Sequence, residues 1–420
     1  MIIWLLVGYM WLFIHRPFEE WTFLATIRLE RIYMISVILI WLLSLLTDPD
    51  KKRPLGNIFT PAVFLYTSAI TVATLLSPYT DVFTNIDFIN WLKYLVFFVI
   101  LMTSVKTERD LKIITTGFIV ACFLFMAHSY REYLSGRVLY AVGVPRLIGV
   151  GTTFSEFNDY GTMIVCMLPM ILPLVTLCKK YWHYLFILGY VLLTLRSVML
   201  TGSRTAFIMV VGLLILPVVF SRHRFKLIPI LLIAVPVGWF AMSEEMQNRY
   251  RTVWDQSISE TANDNMQGRM AGFYGGLDNW SNYPLFGVGP AMHGPARGSI
   301  MQAHNLIGQV AGELGTFGIL TFLFMLTCFG INHYNIWKNY KYLQEKNLGK
   351  EGLYCWRVSI AVMYAFIMLM LQGLGLHTAY RFPWIWLGAF QALSAMLLQE
   401  KIDAVLQGKL LPGLPVDTKR

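Results

Sequence analysis

Long apolar segments recur along almost the whole chain. Eleven such segments, each roughly long enough to cross a bilayer as a helix of about 17 to 25 residues, lie at 32–47, 57–76, 88–105, 111–129, 159–178, 182–202, 205–221, 225–242, 304–332, 355–373 and 383–398. With 56% hydrophobic and 14% charged residues among 420, the chain is far too apolar for a soluble protein of this length. Residues 1–14 form a shorter candidate, which lacks the basic region and cleavage site of a removable signal peptide, so we expect a retained helix. The sequence predicts an all-α polytopic membrane protein with about 12 transmembrane helices.

Basic residues are distributed unevenly among the connections between these segments. Lys-rich connections alternate with connections that contain no lysine, and cytoplasmic loops of membrane proteins carry an excess of basic residues. We therefore expect both chain ends to face the cytoplasm, together with every lysine except Lys93. The expected organisation is transmembrane helices 1–9 in residues 1–242, a large periplasmic loop with interfacial helices at 243–303, transmembrane helices 10–12 at 304–398 and a cytoplasmic tail at 399–420.

The external connections carry arginine in place of lysine. Arginine resists deprotonation and presents a planar fork to phosphate, so an external set suits a diphosphate held near the lipid interface. Most members of the set are expected to be simple interfacial anchors. They are Arg16, Arg28, Arg31, Arg131, Arg137, Arg146, Arg204, Arg249, Arg251, Arg269, Arg297 and Arg381.

Charge and cysteine content exclude other classes of protein. The net charge of +10 comes largely from the cytoplasmic loops, and no basic, aromatic-rich soluble domain is present to bind nucleic acid. The cysteines fall in or beside predicted helices, so we expect no structural disulfide, and they show no metal-binding spacing with histidine. Asp48-Pro49-Asp50 has the form of a metal-binding D-x-D, but it lies beside cytoplasmic lysines and is interpreted as a solvated turn. No cofactor is expected.

The stretch from Gly268 to Gly318 concentrates Arg, His, Trp, Asn and Gly to a degree that the rest of the chain does not. It contains Gly268-Arg269 before an aromatic segment, the turn Pro284-Leu285-Phe286-Gly287-Val288-Gly289-Pro290, and His304-Asn305 before an apolar helix with Glu313-Leu314-Gly315. In this order and form, the three pieces resemble the O-antigen ligase family, which includes related polysaccharide polymerases and protein O-oligosaccharyltransferases. The topology agrees over most of the chain, whereas the specific motifs cover only 201–207 and 268–318.

Two further places match the family pattern. Ser203-Arg204 stands at a tight external break between two membrane helices, where family members frequently have Ser-Arg. Free amides at the start of the following helix would form an anion site to which Arg204 adds charge, and this interpretation is preferred to simple snorkelling of the side chain. In the external loop 130–158, Arg146 and the run Gly151-Thr152-Thr153-Phe154 match only loosely, because Phe157 stands where a proline is expected. Arg146 is therefore only a candidate binder.

The external segment 243–303 is too long to be an idle connection. Its centre has Met270, Phe273, Tyr274, Leu277 and Trp280 at helical spacing. This pattern predicts an amphipathic helix in the membrane interface, with Arg269 near its beginning and its aromatic side chains toward lipid. After Pro284 ends that helix, Gly287 and Gly289 would permit close approach of the backbone to a ligand.

His304 is the candidate general base. A helix N-terminus disfavours a positive charge on a neighbouring group, so a neutral imidazole able to accept a proton is expected there. Asn305, His377 and Arg381 are predicted to line the same site, and His293 is predicted to be a plain loop residue. Glu313 would lie about 180° around the helix from His304 and is expected to pack against an arginine such as Arg196. Glu19 and Glu20 are rival bases, although an ordinary interfacial loop is the preferred interpretation of their segment.

The resemblance implies a glycosyltransferase with GT-C-like architecture. It would transfer a glycan from a polyprenyl (undecaprenyl) diphosphate donor to an acceptor hydroxyl of a glycan, lipid A core or protein, at the periplasmic face of the bacterial inner membrane. Arg204 and Arg269 would stabilise the departing diphosphate, and His304 would accept the hydroxyl proton. The family resemblance also implies independence from metal ions. The product would be lipopolysaccharide or exopolysaccharide.

Other functions stay open at this point. The motifs do not separate a ligase from a polymerase or a protein O-oligosaccharyltransferase of the same family. A flippase or transporter of lipid-linked oligosaccharide would also have about 12 helices and buried charges. A transporter would need charges spread through the middle of the bundle, whereas here they concentrate at one face and no internal repeat is evident. An enzyme is therefore preferred.

Overall fold

The computed structural model describes residues 1–47, 55–141, 144–151, 154–220, 224–252 and 260–408. The predicted D-x-D at 48–50 lies outside these residues. The chain is helical, with one small antiparallel hairpin of β1 (Leu139–Ala141) and β2 (Val144–Arg146). The helices are α1 (Ile2–His15), α2 (Pro17–Glu20), α3 (Thr22–Thr26), α4 (Leu29–Thr47), α5 (Phe59–Leu76), α6 (Ile86–Ser104), α7 (Glu108–Leu134), α8 (Phe157–Met167), α9 (Ile171–Leu174), α10 (Tyr181–Thr201), α11 (Arg204–Phe220), α12 (Arg224–Phe240), α13 (Glu244–Arg251), α14 (Glu260–Asn282), α15 (Leu306–Glu345), α16 (Gly349–Gly373) and α17 (Pro383–Leu406).

The predicted all-α polytopic fold is confirmed. Over the described residues, each apolar segment found in the sequence is largely helical in the structure. Within the described residues, eight helices are long and apolar enough to cross a membrane, or nine if the bent pair α12 and α13 is counted as one span. The number is lower than the predicted 12 partly because α1 and α11 are short apolar helices. Helix α17 is also not among the eight, and its last turns carry Glu400, Lys401 and Asp403.

The middle of the bundle is formed by α5, α15, α16 and α17, which pack against one another. Almost every residue in the first half of α17 is buried, including Trp384 and Trp386. The Trp386 ring lies against Phe97 of α6, with ring centroids 4.5 Å apart. Helices α1 and α7 pack side by side. This aromatic core fixes the ends of the helices relative to one another, and those ends carry the polar residues.

Glycine residues allow α14 to approach α15 closely. A Cβ added at Gly276 would lie 2.6 Å from the Gly308 Cα, and one added at Gly312 would lie 3.0 Å from the Gly276 Cα. The opposite face of α14 exposes Met270 and Tyr274, whereas the Trp280 indole donates to Thr316 Oγ1 of α15 at 3.1 Å. The predicted amphipathic helix is therefore present, but it begins at Glu260, so the predicted position of Arg269 near its beginning is wrong. A seam of small residues joins its other face to α15, as in close-packed membrane helices.

Helix α15 is interrupted at Gly315, whose φ of 64° and ψ of −163° are not helical. In a continuous helix the amides of Thr316 and Phe317 would bond to the carbonyls of Gly312 and Glu313. Here these amides donate instead to Pro284 O at 2.8 Å and Leu285 O at 3.1 Å.

The turn at 284–290 also supplies the missing donors. Val288 N donates to Gly312 O at 3.0 Å, and Gly289 N donates to Glu313 O at 2.9 Å. The turn thus satisfies all four backbone groups that the interruption frees, as buried backbone groups require. On its other side, the turn accepts hydrogen bonds from Ser77 Oγ to Val288 O at 2.5 Å and from Asn85 Nδ2 to Pro290 O at 2.7 Å.

Candidate active site

A cavity of about 1000 Å³ opens at one end of the bundle. It is bordered by the end of α1 and by the beginnings of α6 and α8, together with the residues that precede α15 and α17. We call this the cavity end. His15 at the end of α1 contacts His128 near the end of α7 at 2.8 Å, so α7 begins at the opposite end. There Lys112 and Lys401 pair with Glu108. Most of the charged lining is therefore remote from these lysines.

The structure brings His304, Arg269, His377 and Arg381 to this cavity, although they come from distant parts of the sequence. Asn305 lies directly after His304 and caps α15, because its side-chain oxygen accepts from the amides of Ile307 at 2.9 Å and Gly308 at 3.0 Å. The sequence pattern of His-Asn before an apolar helix thus has a structural basis. A binding role for Asn305 stays a prediction.

His304 has an unusual backbone conformation and a shifted pKa. Its φ of 45° lies in the left-handed region, which side chains other than glycine seldom adopt. Burial lowers the pKa of His304, the nearby charge of Arg269 lowers it further, and Glu156 and Asp159 oppose the shift. The imidazole is therefore neutral at pH 7, which is the form that accepts a proton.

His377 and Arg381 form the neighbouring part of the cavity. The rings of His377 and His304 are 5.7 Å apart in an edge-to-face arrangement. Burial, followed by the charge of Arg381, lowers the pKa of His377 to about 4, although Asp159 acts in the opposite direction. Arg381 Nη2 lies 2.8 Å from Asp159 Oδ2. The ion pair joins the loop before α17 to the beginning of α8 and fixes this wall.

Arg269 lies where α11, α14 and the loop after α16 meet. A Cβ added at Gly375 would lie 3.3 Å from both Arg269 Nη1 and Thr205 Oγ1. The guanidinium therefore reaches the first turn of α11, one residue from Arg204. Burial lowers the pKa of Arg269, and the charge of Arg204 lowers it further. Arg204 itself does not line the cavity, and its Nη1 donates to Thr252 Oγ1 at 3.2 Å.

Arg146 is almost completely buried, with 1% of its surface exposed. Its Nε donates to Thr201 O at 2.5 Å, and its guanidinium stacks 3.1 Å from the ring centre of Phe157. Its Nη2 finds no hydrogen-bond partner among the described residues. Burial, then the charges of Arg249 and Arg204, lower the pKa of Arg146 to about 9, although Tyr250 opposes this shift. Arg146, which matches the family pattern only loosely, is thus a neighbour of Arg204 in the structure.

Arg249 is a member of this group that sequence reasoning did not single out. It lies on the short helix α13, and its Nε donates to Gly202 O at 2.6 Å, beside Ser203-Arg204. Tyr250 holds α13 in place, because its ring stacks on Phe207 at 4.5 Å and its hydroxyl donates to Val198 O at 3.0 Å. The available signal was Arg249-Tyr250-Arg251 in the long external segment, but the sequence could not distinguish Arg249 from Arg251.

Gly287 and Gly289 approach the chain itself closely. A Cβ added at Gly287 would overlap the backbone of Glu313, and one added at Gly289 would lie 2.8 Å from Ser77. Neither glycine lines the cavity. The need for glycine at these positions is explained by the docking of the turn on α15, and we assign no ligand to them.

Glu313 has a different partner from the one predicted. Gln309 Nε2 donates to Glu313 Oε2 at 3.3 Å, and Ala379 N donates to Gln309 Oε1 at 3.0 Å, so this pair joins α15 to the loop before α17. Arg196 instead borders a separate pocket with Met199, Met242 and other residues. The proposed contact between Glu313 and Arg196 is therefore wrong, because residues at these distant positions face different parts of the bundle.

The remaining candidates also have positions in the structure. Glu19 pairs with Arg16 and does not line the cavity, and the side chain of Glu20 is outside the described part. His293 is buried outside the cavity. Across the described ranges, no group of three or more His, Cys, Asp and Glu side chains has an arrangement that could hold a metal ion.

The fold and the site together define a polytopic helical membrane protein with a cavity lined by histidine and arginine at one end of its bundle. The family model described as O-antigen ligase matches residues 189–323. This range runs from α10 into α15 and includes Arg204, Arg249, Arg269 and His304. This match over part of the chain supports the resemblance to the O-antigen ligase family that the motifs indicate. The match supports a membrane glycan-transfer role in polysaccharide synthesis. No curated protein matches the chain.

Proposed function

We propose that the protein transfers a glycan from a polyprenyl diphosphate, in bacteria undecaprenyl diphosphate, to an acceptor hydroxyl. The reaction takes place at the periplasmic face of the inner membrane and contributes to lipopolysaccharide or exopolysaccharide. The family supports glycan transfer in general, and the arrangement of arginines supports this choice of donor. The lysines at the opposite end of the bundle support the orientation, because cytoplasmic ends are enriched in basic residues.

The observation that carries the proposal is the convergence of Arg146, Arg204, Arg249 and Arg269, of which Arg269 lines the cavity. The positive charges of Arg249 and Arg204 act on Arg146, and the positive charge of Arg204 acts on Arg269. Guanidinium groups held together out of water repel one another unless an anion lies between them. A diphosphate supplies that anion and accepts planar, forked hydrogen bonds from arginine.

The same arrangement suggests how the chain would promote the reaction. The acceptor oxygen attacks the anomeric carbon, forming a new C–O bond as the bond from that carbon to the diphosphate oxygen breaks. The electron pair of the broken bond leaves with the diphosphate, whose growing charge Arg269 and Arg204 stabilise. His304 takes the proton of the acceptor hydroxyl. The leaving group needs no protonation, so the proposal requires neither a general acid nor a metal ion.

Purified protein in lipid vesicles is expected to transfer glycan from a synthetic polyprenyl-diphosphate glycan to an oligosaccharide acceptor in the presence of chelator. Arginine and histidine side chains supply all the charge stabilisation and proton transfer in the proposed reaction, so chelation should leave turnover unchanged. The measurement is product formation by mass spectrometry, with and without added divalent ion. Turnover that requires the ion would contradict the metal-free reaction. Movement of the donor across the bilayer without transfer would favour a flippase.

Arg249→Ala is expected to lower kcat/KM for the donor by roughly ten- to a hundredfold, because one charged hydrogen-bonding group near the diphosphate is lost. Arg251→Ala is the matched control on the same short helix, since the Arg251 side chain is exposed and, among the residues that the structure describes, bonds to Asn248 alone. Steady-state kinetics with varied donor would compare the two variants. Equal effects of both substitutions would remove Arg249 from the proposed diphosphate site.

A further inference from the structure

One face of α6 places polar residues in the cavity. The proposed reaction of the glycan donor gives these residues no role. Asp87, Asn90 and Lys93 recur at three-residue steps, and all three line the cavity together with Tyr94. Lys93 is the one lysine expected away from the cytoplasmic side, and its Nζ donates to Asn90 Oδ1 at 3.0 Å. Polar residues on a membrane helix are costly and are by default candidates for function.

Carboxylates on this side of the cavity make it unsuitable for a diphosphate. Glu30, Asp87 and Glu156 line the cavity, and in the described part of the chain their carboxylates make no hydrogen bond or close ion pair, although the charge of Arg381 acts on Asp87 from a distance. The carboxylate that pairs with Arg381 is that of Asp159. Unpaired carboxylates repel phosphate, so the donor's charged group is directed toward the arginines. The wall formed by α6, Glu30 and Glu156 is left for a different ligand.

The groups on this wall match a ligand with several hydroxyls. Carboxylates accept hydrogen bonds from hydroxyl groups, the Asn90 amide donates two and the Lys93 ammonium donates three. Phe13 and Tyr94 also line the wall, with their rings packed edge to face at 5.4 Å. They add apolar surface suited to the carbon-bound hydrogens of a sugar ring. A lone serine or threonine hydroxyl would leave most of these polar groups without partners, which is unfavourable in an enclosed site.

We propose that the α6 wall is the acceptor subsite and that the acceptor is a carbohydrate. Asp87 and Asn90 hold hydroxyls of the acceptor sugar so that one hydroxyl faces His304 across the cavity. This inference rests on the proposed glycan transfer and specifies its acceptor. It favours a ligase or polymerase that extends a sugar over a transferase to protein.

The test uses the purified full chain in vesicles with a polyprenyl-diphosphate glycan as donor. One acceptor is an oligosaccharide released from the surface polysaccharide of the source strain, and the other is a peptide rich in serine and threonine. Asp87→Ala and Asn90→Ala are expected to raise the acceptor KM by about ten- to a hundredfold, with the donor KM changed by less than about twofold. Leu92→Ala is the control, because Leu92 lies on the same helix, is 36% exposed and does not line the cavity.

Binding of the same oligosaccharide is measured without donor by saturation-transfer NMR, on variants that elute as a single species. This measurement does not depend on turnover. Binding of the oligosaccharide is expected to weaken in Asp87→Ala and Asn90→Ala but not in Leu92→Ala. Unchanged acceptor KM and binding in both variants, or transfer by the wild type to the peptide alone, would overturn the carbohydrate subsite. Absence of transfer by the wild type to either acceptor would instead contradict the proposed function itself.

Discussion

His304→Ala is expected to lower glycan transfer by about 100- to 10,000-fold, the usual contribution of a general base. The imidazole is neutral at pH 7, since burial and Arg269 lower its pKa, and it borders the cavity in which the acceptor hydroxyl would be bound. Alanine removes the proton acceptor and leaves the cap of α15, because Asn305 forms that cap. Single-turnover rates with saturating donor would measure the loss.

His377→Ala is the informative comparison for His304→Ala. Both rings line the cavity and lie 5.7 Å apart, but burial and the charge of Arg381 lower the pKa of His377 to about 4, so its neutral form is a weak base. His377→Ala is therefore expected to retain more activity than His304→Ala. A severe loss in His377→Ala with near-normal transfer in His304→Ala would exchange the two assignments.

The family motifs identified much of the candidate site because they are local. Gly268-Arg269 lies in the middle of α14, but Ser203-Arg204 and His304-Asn305 each stand at the beginning of a helix, where a short sequence determines both the cap and the position of the side chain. His377 and Arg381 could be added because the topology places their loop at the same end as His304. These predictions depend only on which end of a helix a residue occupies.

The contributions of Arg249 and Asp87 could not be predicted in the same way. Arg249 reaches Gly202 because Tyr250 packs α13 against α10 and α11, and nothing in the sequence of the long external segment specifies that packing. Asp87 lies in the first turn of α6, where a carboxylate is ordinarily explained as a partner of the helix dipole. Only the arrangement of several helices shows that it faces a cavity.

The turn at 284–290 shows how a correct motif can suggest the wrong contact. Its glycines predict close backbone approach, and the close approach is real, but the partner is α15. The sequence gives no direct sign that Gly315 interrupts α15, since a glycine in a long apolar helix is common in membranes. Without the interruption, no free carbonyls would be available for Val288 N and Gly289 N. The motif therefore packs on α15 because of Gly315, a residue that is distant from it in the sequence.

Gly287→Ala is expected to prevent stable assembly of the cavity end. The position has a φ of 69°, which costs a non-glycine residue about 1–2 kcal/mol, and the added Cβ would overlap the backbone of Glu313. Relief of that overlap would move the turn away from α15. Buried backbone groups would then lose their hydrogen-bond partners, each at a cost of about 1–3 kcal/mol. Thermal unfolding in detergent, followed by size-exclusion chromatography after heating, would measure the effect. Because His304 lies at the start of the same helix, glycan transfer should fall together with stability.

Gly298→Ala separates the two causes of that destabilisation. Gly298 has a similar φ of 63°, but a Cβ added there meets nothing within 4 Å. It therefore carries the conformational strain without the overlap, and its melting temperature should fall by only a few degrees, on the order expected for about 1–2 kcal/mol. If the two variants melted at the same temperature, the contact between the turn and α15 would contribute little to stability. The glycine at 287 would then be explained by its backbone conformation alone, and a ligand-binding role for the turn would again deserve a test.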